Sequence, residues 1–150
     1  MFELPFGFDK PEDSPGFLLW QSTIIWQRLI KKALDQHNIS HSQFVIMALL
    51  LWFKGHHYDT TQTLIINWSK LDKMTVSKSL KKLVSQGLVQ RFELETDTRA
   101  KTVVLTDKGE NLVHQLVPIV EKIDAEFFGK VVKNDKKLLT QILKKLATDN

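Results

Sequence analysis

LDKMTVSKSLKKLVSQGLVQRF, residues 71–92, decides the fold. Asp72 can cap a helix and suits the positive end of its dipole. The spacing of Val76, Leu80, Leu83 and Val84 places one apolar face on a helix over 72–86. Met74, Thr75, Ser77, Lys78, Lys81, Lys82 and Ser85 then form the opposite face, and Gly87 ends the helix. LVQRFELE (88–95) and KTVVLT (101–106) read as two strands of a hairpin, separated by a charged turn.

Upstream, Ser14-Pro15 starts a helix over 15–37, with a capping hydroxyl followed by proline at the first helical position. Its apolar residues exceed one stripe, so it must be covered on two sides, and in so short a chain the expected second cover is another subunit. Ser40 or Ser42 caps a helix over 41–54, HHYDTT is a loop, and a short helix spans 61–67. Downstream, Thr106 and Asp107 open a long apolar helix over 107–132, with Pro118 implying a kink or break. Asn134 or Asp135 begins a last helix. Helix, helix, short helix, helix and hairpin is the order of a winged helix; the fold class is mainly α with a small β-hairpin wing.

Composition narrows the class. The chain has 150 residues, enough for one domain with a sizeable core, and its 43% hydrophobic and 25% charged content is ordinary for a globular protein. It has no cysteine, which removes disulfides, thiolate metal sites and a thiol-oxidation switch, and fits a reducing, cytoplasmic setting. The N-terminus does not read as a secretory signal, and no apolar run is long enough for a membrane span. The net charge of +4 is mild, but residues 73–91 carry Lys73, Lys78, Lys81, Lys82 and Arg91 without one acid. Such a patch is an electrostatic footprint for a polyanion, or else a solvated lysine face.

A helix entering the major groove needs short polar side chains at its leading end and cations for the flanking phosphates. Thr75 and Ser77 are the candidates nearest the bases; Lys73, Lys78, Lys81 and Lys82 are candidates for the backbone. In the turn, Arg99 can enter a narrow minor groove, with Asp97 bracing it and Lys101 adjacent. The plainer reading of Arg99 is a solubilising charge beside an edge strand.

The sequence resembles the MarR family of bacterial winged-helix transcriptional regulators along nearly its whole length. DTRAKTVVLTDKG (97–109) is similar to the family's wing signature and LDKMTVSKSLKKLVSQGLV (71–89) to its recognition helix. SPGFLLWQSTIIWQRLIKKAL (14–34) resembles the dimer-forming first helix and ISHSQFVIMALL (39–50) the second. The resemblance implies a single domain over 1–150, with a DNA-binding lobe at 39–106 and dimerisation helices at 14–38 and 107–148. It further implies a homodimeric repressor on a pseudo-palindromic operator of double-stranded DNA, released by a small aromatic or anionic effector. Trp20, Phe44 and Trp52, with Trp26 and Trp68, are candidates for the effector cavity; plain core packing is the alternative for each. Two positions depart from the pattern: Lys78 stands where arginine is common, and QTLIINWSK lacks the usual Leu-Ala-Glu sequence.

Other classes fare worse. His37, His41, His56, His57 and His114 form no nucleophile–base pair at recognisable spacing, and there is no glycine-rich phosphate loop, so an enzyme is not expected and no cofactor is implied. His56 and His57, with Asp59, leave a metal-responsive regulator as one alternative, and a winged-helix protein-interaction module without DNA binding as another.

Overall fold

The computed structural model describes residues 3–93 and 101–148. After a 3-10 turn (Pro11–Asp13) come α1 (Pro15–Asp35), α2 (His41–Gly55), α3 (Gln62–Ser69), α4 (Lys73–Ser85), β1 (Val89–Glu93), β2 (Lys101–Leu105), α5 (Asp107–Phe128) and α6 (Lys133–Leu146). Side-chain oxygens explain where most helices begin. Ser14 accepts from the Phe17 amide, Thr61 from Leu64, Asp72 from Thr75 and Thr106 from Gly109. Of the two serines available to α2, Ser40 is the cap, and its amide donates in return to the Gln43 side chain to close a capping box.

The core lies between α1, α2, α4, α5 and the hairpin. Ile30 and Leu34, Ile46 and Met47, Leu80 and Leu83, Val103, Val113 and Leu116 are all buried there. Lys70, in the left-handed region at φ 61°, turns α3 into α4. Gly87, at φ 73°, ends the α4 turn and releases the chain into β1. β1 and β2 pair antiparallel, with Val89 opposite Leu105 and Glu93 opposite Lys101.

Several expectations need correction. Val84 is not part of the packing face of α4; it is exposed, and only Val76, Leu80 and Leu83 are buried. Pro118 does not break α5, which continues to Phe128 and stops short of 132. The proline and His114 both lie on the exposed side, where the freed His114 carbonyl faces water. α6 starts at Lys133 after Val132, which gives no side-chain cap, and Asn134 and Asp135 fall inside its first turn. The loop before α3 also joins the sheet: the Val103 amide donates to the Thr60 carbonyl at 2.9 Å, and Thr61 bridges to Thr102.

The outer helices leave much apolar surface uncovered. α1 buries only Ile30 and Leu34, while Phe17, Leu18, Leu19, Trp20, Ile25 and Leu29 are exposed. α6 buries none of its residues.

The start of α5 is fixed by close approach. A Cβ on Gly109 would lie 2.0 Å from the Leu88 carbonyl oxygen. Backbone cannot yield as a flexible side chain does, so Gly109→Ala is expected to cost about 1–3 kcal/mol or more in urea denaturation. Gly55→Ala, with open space around it, is the matched control and should not destabilise.

Candidate nucleic-acid interface

α4 presents its polar face to solvent. Lys73, Met74, Ser77, Lys78, Lys81, Lys82 and Ser85 are all exposed, and Met74 retains 69% of its accessible surface. Among the described residues none of these four lysines has a carboxylate partner; the ion pairs there are Lys31–Asp35 and Lys54–Glu110. The face is therefore cationic without internal neutralisation.

Its two flanks differ. On one side, Ser77, Lys81 and Val84 border a notch with Arg91 of β1. Arg91 Nη2 donates to the Ser77 carbonyl at 3.3 Å, tying the hairpin to the helix, while its buried Nε has no partner among the described residues. On the other side, Lys82 faces the α1–α2 turn and lines a recess with Lys31, Asp35, Asn38, Ser40 and His41. Lys81 and Lys82 thus point to different neighbours, as adjacent helical positions must.

Thr75 is placed differently from Ser77. It is half-buried in the first turn, and its hydroxyl donates to Asp72 Oδ2 at 2.9 Å, while its amide donates to Oδ1 at 2.7 Å. These bonds, the amide's first and the hydroxyl's second, hold the Asp72 carboxyl below the ordinary aspartate value. The exposed Ser77 hydroxyl has no such commitment among the described residues. Lys101 opens β2, while the wing-turn candidates Asp97 and Arg99 lie outside the described residues.

Among the described residues, ring contacts join Trp52 and Trp68 but none of the other aromatic candidates to one another. Trp20 is 65% exposed near the start of α1, and Phe44 is buried in the core. Trp52 stacks on His56 with ring centres 3.9 Å apart and meets Trp68 at 5.3 Å. Trp26 has another role: its Nε1 donates to Asp124 Oδ1 at 2.7 Å, and its ring meets His41 edge-on. Burial pushes the His41 imidazole below its ordinary value, against an opposing pull from Asp124. This contact links α1, α2 and α5, and with partners 98 positions apart it had no signal in the sequence. His56 Nδ1 lies 2.8 Å from the Trp52 carbonyl, and among the described residues no three histidine or carboxylate side chains converge as a metal site.

An exposed helix face of cations and hydroxyls, braced by a two-stranded ribbon, defines a winged-helix lobe. Comparison with known proteins agrees. Residues 35–122 match the ArnR1-like, winged-helix domain. The HTH-type transcriptional regulator YdcH of Bacillus subtilis is 37% identical over 139 residues, covering 91% of this chain and 95% of that one. The organic hydroperoxide resistance transcriptional regulator of the same species is 32% identical, covering 78% and 77%. Among solved structures, Bordetella bronchiseptica BpsR superposes with a TM-score of 0.85 at 20% identity, covering 96% of this chain and all of the other. A mutant of Escherichia coli MarR in complex with operator DNA gives 0.78 at 23% identity, covering 91% and 96%. The chain belongs to the MarR family of winged-helix transcriptional regulators.

The Asp72 cap yields a pH test. Because its folded-state carboxyl is depressed, its stabilising contribution is complete above the ordinary value of 3.8 and is lost as the pH falls through the lower folded value. Asp72→Ala should melt earlier than the parent near neutrality, with the gap closing in acid below 3.8. Thermal melts across that range check it.

Proposed function

We propose that the protein is a homodimeric repressor that lays α4 of each protomer in successive major grooves of a pseudo-palindromic operator. The observation that carries this reading is the unneutralised lysine and hydroxyl face of α4, held beside the hairpin by Arg91. Ser77 reads base edges; Lys73, Lys78 and Lys81 meet phosphates, and Lys82 meets the backbone on the flank nearer the α1–α2 turn. Thr75, committed to Asp72, serves mainly to hold the leading turn. Lys101, with Arg99 and Asp97 of the wing turn, extends the footprint toward the minor groove, as their sequence positions suggest.

The dimer reading is supported by the exposed apolar residues of α1 and α6, far more than a solvated monomer surface needs. Release by a small molecule has support in relatives: BpsR is regulated in its DNA binding by 6-hydroxynicotinic acid, and CouR of Rhodococcus jostii has been solved with p-coumaroyl-CoA. Here a recess of about 410 Å³ between α1 and α5, walled by Leu29, Phe127, Lys32, Lys130 and Glu126, suits an aromatic anion better than the scattered Trp20, Phe44 and Trp52.

Binding-site selection followed by titration at several salt concentrations tests the reading. Lys78→Ala and Lys81→Ala should each weaken every sequence alike and lower the salt slope by about 0.9. Ser77→Ala should instead relax base preference, by about 1–3 kcal/mol at its contact. Arg99→Ala should lose affinity chiefly for A·T-flanked sites while melting like the parent. Absence of any salt-dependent shift on genomic fragments at low salt would favour the protein-interaction module instead.

A further inference from the structure

Side chains tie α2 to the outer helices near each of its ends. Toward its C-terminal end, Lys54 pairs with Glu110 of α5. In its first turn, the His41 ring meets the Trp26 ring of α1 edge-on, with centres 5.0 Å apart, and Trp26 Nε1 donates to Asp124 Oδ1 of α5 at 2.7 Å. The Lys54 pair is exposed, and an exposed pair contributes little. The bond to Asp124 is half-buried, where water screens it less, so this end of α2 holds the winged lobe more firmly on α1 and α5.

Histidine is the side chain whose ordinary value lies nearest physiological pH. Burial disfavours the charged form of His41 more than Asp124 favours it. The other charges near it give little relief. Lys31 and Asp35 of α1 and Lys82 of α4 line the same recess. Lys31 and Asp35 pair with each other, which leaves Lys82 as the cation without a carboxylate among the described residues. His41 is also the first residue of α2, at the positive end of the helix dipole.

We propose that Trp26, Asp124 and His41 form a proton-controlled latch that sets the winged lobe on α1 and α5. In the closed latch the indole N–H holds the Asp124 carboxylate, and a neutral imidazole lies against the ring. A proton taken from solvent by His41 puts a cation into this half-buried site. The cation draws in water and competes with Trp26 Nε1 for the carboxylate, and the first turn of α2 comes away from α1 and α5. The closed form holds His41 below its ordinary value of 6.5, so the open form binds the proton more readily and acid shifts the population toward it. The latch is therefore closed above 6.5 and opens as the pH falls through the lower value of the closed form. Its consequence for α4 rests on the DNA binding proposed above. A loosened lobe must be ordered again on the operator, which costs affinity. Asp124 and His41 thus act as positioning residues for α4.

NMR of the free protein reads the latch without DNA. The Trp26 indole N–H resonance, identified by its loss in Trp26→Phe, should move between pH about 8 and about 5 with the same midpoint as the His41 ring protons. In His41→Gln, which takes up no proton, it should stay in place. Asp124→Asn keeps an acceptor for the indole but removes the charge that favours the imidazolium, so its midpoint should fall further below that of the parent. Titrations on the selected operator at constant salt then compare parent with His41→Gln. The parent should lose affinity in acid relative to the variant, by up to about tenfold for each pH unit between the open and closed values. An indole resonance that does not follow His41, or an unshifted midpoint in Asp124→Asn, overturns the latch. An indole that titrates as expected while parent and His41→Gln share one pH profile of DNA affinity overturns the positioning of α4. A parent that binds no DNA at any pH overturns the repressor reading, and the resonance alone then decides the latch.

Discussion

The first turn of α5 rests on the backbone that leaves α4, and the geometry of the winged lobe depends on that contact. The Thr106 amide donates to the Leu88 carbonyl at 3.0 Å, its hydroxyl to the Gly87 carbonyl at 2.7 Å, and Lys108 Nζ to the Gln86 carbonyl at 3.0 Å. These bonds satisfy three carbonyls just past the end of α4, where no further helical amide is left to bind them. Gly109 removes the side chain that would hold the two backbones apart. One hydroxyl thus caps α5 and receives the end of α4 at once. α5 and the end of α4 are joined through a junction of backbone groups, which fixes their relative placement more firmly than side chains free to change rotamer.

Around that junction the lobe is divided between packing and display. Val76, Leu80 and Leu83 anchor α4 in the core, so the lysines on its other side need no partner to be held in place. They are exposed, and no ion pair among the described residues ties them. Arg91 serves a different end. It commits one nitrogen to the Ser77 carbonyl and fixes the hairpin against the middle of α4, so ribbon and helix present themselves as one surface. Trp26 and Asp124 do the equivalent for the outer helices, with His41 at the edge of the ring.

What was legible in the sequence followed from local chemistry. Ser14, Asp72 and Thr106 marked helix starts because a cap acts within three residues, and the period of Val76, Leu80 and Leu83 is visible over two turns of one helix. Gly87 and the alternating KTVVLT strand were equally local. The errors arose where a distant neighbour decides. Val84 has the right polarity for the core but sits beyond the reach of the elements that form it. Thr60 and Thr61 looked like loop residues because their partner strand lies far along the chain. The meeting of Trp52 with Trp68 was hidden for the same reason: it joins side chains from separate helices, and spacing along one chain carries no information on that. α6 shows the reverse case, a helix formed without a side-chain cap, on the strength of its amphipathic pattern and good helix formers.

That last helix has a thermodynamic consequence. At 14 residues it is close to the length at which an isolated helix in water is marginal, and it buries none of them within its own chain. Its own helix formers leave it near that margin, so a cover over its apolar stripe adds directly to its order. If the cover is a second chain, the population of the ordered helix obeys mass action, rising and falling with the amount of protein present. The C-terminal end of the molecule would then report its own abundance, with the extent of its folding set by how many copies the cell holds.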